Sequence, residues 1–245
     1  MSIGRSGQGC PIGVLVSGEG SNLQALLDAG LPVCAVASSR AGVRALERAE
    51  AAHVPAAAFE LGVFADREQR DTTMANWLQE RGARLVVCAG YMHLLTPAFL
   101  DRFPRRIVNV HPSLLPAFPG AHAVRDALAA GVAITGVTVH LVDATLDGGP
   151  ILLQEPVVMQ PGDDERSLLA RVHAAEHRLL PRAVALVAAG AVRVEPGRRR
   201  AVVDVARADA SMAAPRRALL SVSDKTGVAA LGTGLVELGF ELLST

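Results

Sequence analysis

Asn109 and His111 stand two apart in Ile107-Val-Asn-Val-His111, so on an extended segment they share one face. A polar Asn set into β-branched, apolar sequence is costly unless it finds a partner. Pro112, Pro116 and Pro119 follow at once and forbid regular ladder or helix hydrogen bonding. The strand therefore delivers an amide and an imidazole to its C-terminal end, beside a stiff loop, as a reaction centre would require. The alternative is a satisfied core Asn and a loop His. A carboxylate completes the set. Asp147 sits in Asp143-Ala-Thr-Leu-Asp-Gly-Gly-Pro150, a strong turn after the strand 135–142, where it can meet His111 from a neighbouring strand. A carboxylate beside an imidazole favours the charged ring and fixes its orientation, which makes an acid–base pair. Asp147 is otherwise a turn-former bonded to its own backbone.

A second constellation opens the chain. Ile12 to Val16 reads as a buried strand, Ser17-Gly-Glu-Gly-Ser-Asn22 as a glycine loop, and Leu23 onward as a helix. That geometry aims backbone N–H groups and a positive dipole end at an anion. Leu23 occupies the place of the third dinucleotide-fingerprint glycine, and no acidic residue ends the next strand, 33–38. No lysine follows the glycines, which excludes a nucleotide-triphosphate loop. A single phosphate on Gly20, Ser21 and Asn22 fits better, although such a turn is often only a turn.

The positioning elements alternate. Helices are expected over about 42–53 and 65–81, with strands at 56–59 and 85–89, then 107–110. All-apolar strands separated by helices predict an α/β fold, a mostly parallel Rossmann-like twisted sheet with helices on both faces. Ligands gather beyond the carboxyl ends of such strands, where the Gly20 loop, Gly90-Tyr-Met-His93 and His111 all lie. Beyond Pro119 a helix reaches about Ala130. Strand 135–142 carries Thr138 and His140 on one face, and 151–159 closes the sheet, turning antiparallel or edge-like at Pro156. A long helix, 165–189, holds His173-Ala-Ala-Glu-His177. This matches a zinc-protease pattern, but no third ligand follows it, so a metal is not expected. A small hairpin is expected over 192–205.

The chain has 245 residues, half of them hydrophobic, enough for one α/β domain and a remnant. Lys+Arg 24 against Asp+Glu 24 gives no net charge and no sign of a nucleic-acid partner. No apolar run reaches membrane-spanning length, and the polar start lacks a signal-peptide core, so a cytoplasmic protein is expected. Cys10, Cys34 and Cys88 make no metal spacing and read as small hydrophobes in a reducing compartment.

With these residues assembled, the chain resembles the phosphoribosylglycinamide formyltransferases of purine biosynthesis over about 12–205. The resemblance rests on Ser17-Gly-x-Gly-Ser-Asn22, Ala89-Gly-Tyr-Met92, Asn109-Val-His-Pro-Ser-Leu-Leu-Pro116, Leu146-Asp-Gly-Gly149 and Glu176-His177. It implies that Gly20, Ser21 and Asn22 hold the phosphate of glycinamide ribonucleotide and that Glu176 holds its ribose. It also implies that Arg67, Met92, His93, Leu94 and Leu95, with Asn109 and the 143–147 loop, line the site of the formyl donor, 10-formyltetrahydrofolate. Asn109, His111 and Asp147 fall on the family's catalytic positions, and no metal is required. The implied partners are these small molecules, without nucleic acid or membrane, and the implied assembly is a monomer or homodimer. Departures from the pattern are Glu19 in the phosphate loop, whose side chain must point away, His93 for arginine, and His173 for glutamine.

Related enzymes share the Asn-x-His and Asp set. A formyltetrahydrofolate hydrolase would need a regulatory domain upstream, and a methionyl-tRNA formyltransferase a C-terminal RNA-binding domain. A non-catalytic phosphate-binding module would explain the Gly20 loop but not the other three residues. Residues 1–11 are expected to be a flexible start and 206–215 a linker. Residues 216–245, Arg216-Arg-Ala-Leu-Leu-Ser-Val-Ser-Asp-Lys-Thr-Gly227 onward, resemble the opening of the bifunctional AICAR transformylase/IMP cyclohydrolase, in which Ser221, Ser223 and Lys225 would bind nucleotide. About thirty residues are too few for a domain, so a truncated fragment is expected.

Overall fold

A computed structural model describes residues 10–195 and 201–203, with the backbone of 216–220 and 240–244. The expected flexible start (apart from its last residues), the hairpin turn at 196–200, the linker, and Ser221, Ser223 and Lys225 lie outside the described residues. The chain divides into two compact units, Met1–Asp204 and Val205–Thr245. In the second, β10 (Arg216–Leu220) and β11 (Phe240–Ser244) pair in parallel.

The first unit is built on a seven-stranded sheet. β1 (Ile12–Val16), β2 (Val33–Ser38), β3 (Ala56–Ala58), β4 (Leu85–Cys88) and β5 (Ile107–His111) are parallel. β6 (Ile134–Leu141) and β7 (Ile151–Val158) are antiparallel to their neighbours, and the order is β3-β2-β1-β4-β5-β6-β7. Beyond it, β8 (Val192–Val194) and β9 (Ala201–Val203) form the expected hairpin. Antiparallel pairing thus begins one strand earlier than expected. A strand's residue types and two-residue period read alike in either direction, so the residues of β6 carry no mark of its polarity.

Alternation along the strands feeds two cores. Val14, Val87, Val108 and Val139 face α1 (Ser21–Asp28), α2 (Arg44–Ala51), α5 (Ala123–Ala130) and α6 (Glu165–Ala188). Leu15, Val86, Cys88 and Ile107 face α3 (Arg67–Glu80) and α4 (Pro97–Leu100). Cys88 belongs to the second core, and burial pushes its thiol up to about 12. α6 starts at a reciprocal cap, in which Asp164 accepts from the Ser167 N–H at 2.7 Å and the Asp164 N–H donates to Ser167 Oγ at 3.1 Å. The chain order reverses direction across the sheet between β1 and β4, the crevice where open α/β sheets bind ligands.

Candidate active site

A cleft of about 1500 Å³ opens at this crevice. Gly20, Ser21, Asn22 and Glu176 line one part of it, Arg67 and Met92 to Leu95 another, and Asn109, His111 and Asp147 lie on its wall. The residues that the resemblance implied for phosphate, ribose, folate and catalysis are therefore brought to one cavity. Drug-sized ligands occupy pockets of about 300–1000 Å³, and this cleft exceeds that range.

At one end, α1 begins at Ser21, two residues earlier than its apolar spacing indicated. Gly20 caps it with φ 74° and no side-chain hydrogen bond, which leaves the first-turn N–H groups facing the cleft. A Cβ on Gly20 would lie 2.7 Å from the Ala45 Cα, so the loop presses on α2 in a way only glycine permits. Glu19 turns outward to Arg44 at 2.8 Å, as the sequence required. Arg48 braces the same loop, donating from Nε to the Glu19 carbonyl (3.0 Å) and from Nη1 to Gln24 Oε1 (3.0 Å).

Glu176 is 5% exposed and accepts from Asn22 Nδ2 at 2.9 Å. Burial pushes its carboxyl above the usual range, against the opposing pull of the Asn22 amide, His173 and His111. The His173 and His177 rings stack at 6.2 Å, with Glu176 committed to Asn22. Among the described residues no group of three or more His, Cys, Asp or Glu side chains is placed to hold a metal ion.

At the other end, the loop after β4 is pinned from α3. Arg70 and Asp71 are both fully buried and paired at 2.6 Å, and Asp71 Oδ2 accepts the Thr96 N–H at 2.7 Å. Arg67 Nη2 donates to the Leu94 carbonyl at 2.6 Å. Ser17 Oγ accepts both the Met92 N–H (3.1 Å) and the Ser39 hydroxyl (2.8 Å), tying this loop to the glycine loop. Met92, Leu94 and Leu146 stay 64%, 57% and 55% exposed around the mouth and form an apolar collar. His93 is exposed there, and partial burial and the nearby Arg70, Arg67 and Arg40 charges lower its pKa.

Between these ends lies the polar centre. The pairing Val108↔Leu141 carries the chain out of β6 beside the start of β5, not at its C-terminal edge. Residues 142–150 must therefore fold back, and Gly149 permits it. A Cβ there would lie 1.9 Å from the Leu141 carbonyl oxygen. The return brings Asp147 Oδ2 to 3.5 Å from His111 Nδ1 and Oδ1 to 3.8 Å from His140 Nε2. Asp147 adopts φ 48°, the left-handed region, and its Oδ2 accepts the Gly120 N–H at 2.8 Å. His111 Nε2 donates to the Phe118 carbonyl at 2.9 Å. The proline-rich loop is held by Thr138, whose hydroxyl donates to the Ser113 carbonyl (2.7 Å) and accepts from the Leu115 N–H (3.0 Å).

Sequence reasoning missed the buried Arg70–Asp71 pair, because adjacent charges on a helix normally read as solvated surface. In the sequence Ser17 stands out only as part of the glycine motif. His140 was visible as a polar residue two from Thr138 on an apolar strand, but its partner depended on the unreadable register of β6.

The chain matches the formyl transferase family model over residues 11–184. Phosphoribosylglycinamide formyltransferase of Mycobacterium tuberculosis (strain ATCC 25618 / H37Rv) is 48% identical over 186 residues, covering 74% of this chain and 86% of that protein. The trifunctional purine biosynthetic protein adenosine-3 of Drosophila pseudoobscura pseudoobscura is 43% identical over 190 residues, and the chain spans only 14% of its length. Among solved structures, glycinamide ribonucleotide transformylase 1 from Symbiobacterium toebii superposes with a TM-score of 0.78 at 44% identity, covering 81% of this chain and 99% of that one. Phosphoribosylglycinamide formyltransferase from Streptococcus pneumoniae TIGR4 gives 0.69 at 40% identity, covering 71% and 96%. With the family match spanning most of the chain, and the Mycobacterium enzyme and the Symbiobacterium structure covered over 86% and 99% of their lengths, the chain belongs to the formyl transferase family, among its phosphoribosylglycinamide formyltransferases.

Proposed function

We propose that the chain transfers the formyl group of 10-formyltetrahydrofolate to the amine of glycinamide ribonucleotide. One observation carries this reading. The Asn109, His111 and Asp147 centre lies in one cleft between an uncapped helix N-terminus and an apolar-rimmed mouth. The phosphate sits on the N–H groups around Gly20, Ser21 and Asn22, where partial positive charge is already in place. Glu176, fixed by Asn22, accepts from a ribose hydroxyl. Met92 to Leu95 and Leu146 enclose the flat ring system of the folate, and Arg67 shapes that wall through Leu94.

Bound this way, the amine nitrogen attacks the formyl carbon, and the carbonyl π electrons move to oxygen. Asn109 donates to the developing oxyanion. Losing one such donor typically costs about 10²–10³ in rate. His111 joins it when its Nε2–H turns from the Phe118 carbonyl to that oxygen, and Asp147 stabilises the imidazolium. The intermediate collapses with cleavage of the bond to the folate nitrogen. The amine proton passes, through water and the Asp147 carboxylate, to that leaving nitrogen. Positioned acid–base groups of this kind contribute about 10²–10⁴.

The deciding assay is steady-state release of tetrahydrofolate with both substrates. Amine-dependent release with formylglycinamide ribonucleotide as product supports the reading. Release without the amine identifies a hydrolase, and phosphate-ligand binding without any release identifies a binding module. For residues 216–245, we propose a fragment of a second purine-biosynthesis domain, resting on its sequence motif and on the parallel β10–β11 pair. Ending the chain at Val205 should leave formyl transfer unchanged, and a loss of activity would overturn this assignment.

A further inference from the structure

His140 is not among the residues the family resemblance assigns, yet it is the side chain that Asn109 touches. The β5–β6 register places Asn109 opposite His140, and Asn109 Nδ2 lies 3.1 Å from His140 Nε2. The other ring nitrogen, Nδ1, lies 2.9 Å from the Leu141 carbonyl oxygen. A carbonyl only accepts, so Nδ1 carries the hydrogen. In the neutral ring Nε2 is then a bare lone pair, and the contact has one sense: the Asn109 amide donates and His140 accepts. If the amide were turned over, Asn109 Oδ1 would face that lone pair with no hydrogen between them.

The surroundings keep the ring neutral. Its side chain is 3% exposed. Burial lowers its pKa first, with His111 of β5 acting the same way, against the Leu141 carbonyl and the carboxylates of Asp147 and Asp143 in the 142–150 loop. At 3.8 Å, Asp147 Oδ1 is too far from Nε2 to compete for a hydrogen bond.

We propose that His140 is a positioning residue, whose Nε2 lone pair locks the Asn109 side-chain amide in one of its two orientations and so presents the second amide N–H to the reacting oxygen. The inference rests on the reading of Asn109 as an oxyanion donor. It adds that a buried histidine decides which face of that amide the substrate meets. Protonating His140 would place hydrogen against hydrogen and release the lock, giving activity an acid limb.

The test uses the full chain with His140→Leu, His140→Gln, Asn109→Ala and the double variant Asn109→Ala/His140→Leu. His140→Leu should lower kcat about 10–100-fold, the range expected of a misplaced reactive group, with either KM changed less than about threefold. His140→Gln, which still offers an acceptor, should recover most of kcat and lose the acid limb. In the Asn109→Ala background His140→Leu should add less than about threefold, because the group it positions is gone. A double variant showing the full product of the two losses would overturn the role of His140 while leaving that of Asn109 intact. An Asn109→Ala variant with parental kcat would overturn both. Independently of any variant, ¹⁵N spectra of the His140 ring at neutral pH should show a protonated Nδ1 and a bare Nε2. The opposite tautomer would overturn the proposal.

Discussion

Asp147→Asn isolates one charge with little else disturbed. Asn tolerates the left-handed φ of 48°, and its Oδ1 can still accept the Gly120 N–H, so the folded-back loop should persist. What is lost is a negative charge 3.5 Å from His111 Nδ1. Coulomb's law at that separation gives about 5 kcal/mol at an effective dielectric near 20, and about 1 kcal/mol in bulk water. The Asp147 side chain is 9% exposed, which places the interaction nearer the first figure. At about 1.4 kcal/mol per decade, kcat should fall about 10²–10³-fold. The loss should sit in kcat, because the imidazolium is needed in the transition state and not for binding. Steady-state assays with glycinamide ribonucleotide and 10-formyltetrahydrofolate would measure it, alongside a thermal melt expected to match the parent within a few degrees. A kcat within about threefold of the parent, or a loss confined to KM, would refute the assignment of His111 and Asp147 as an electrostatic pair.

Gly149→Ala should destabilise the chain by about 1–3 kcal/mol and lower kcat as well, because the new methyl meets the Leu141 backbone and displaces the Asp147 loop; urea unfolding together with the formyl-transfer assay would show both. Glu176→Gln should raise the KM for the ribonucleotide and change the pH dependence of stability. The Glu176 carboxyl is raised from 4.5 in the folded chain, so its stabilising contribution is full below that value and is lost as pH rises through the folded one. The variant should therefore melt above the parent near pH 8, with the gap closing toward pH 4.5, and a gap of the opposite sign would contradict the burial argument. His93→Arg should change the folate KM by only a few fold, since the ring is exposed at the cleft mouth, and a collapse of kcat would place it in the chemistry instead.

Much of the fold was legible because the relevant signals are local. Ile12 to Val16, Val33 to Ser38 and Leu85 to Cys88 are apolar runs closed by glycine, serine or alanine turns, and each is a buried parallel strand. The glycine loop announced a strand-to-helix turn through its own residue types, and the Asn-x-His spacing placed both groups on one face of β5 before any contact was known. The boundaries of α1 and α2 moved by about two residues, as helix ends do when caps rather than apolar spacing decide them. What the chain could not reveal locally depends on which segments meet. The direction of β6 left no mark in its apolar residues, and from that direction follow the fold-back of residues 142–150, the approach of Asp147 to His111, and the pairing of His140 with Asn109. Arg70 and Asp71 read as surface because a charge looks solvated until a loop covers it, and here Thr96 and its neighbours do. Sequence by itself determined the strands, the glycine loop and the residue types of the chemistry. Only the tertiary structure decided the hydrogen-bonding sense of each polar group, because that depends on partners supplied by distant segments.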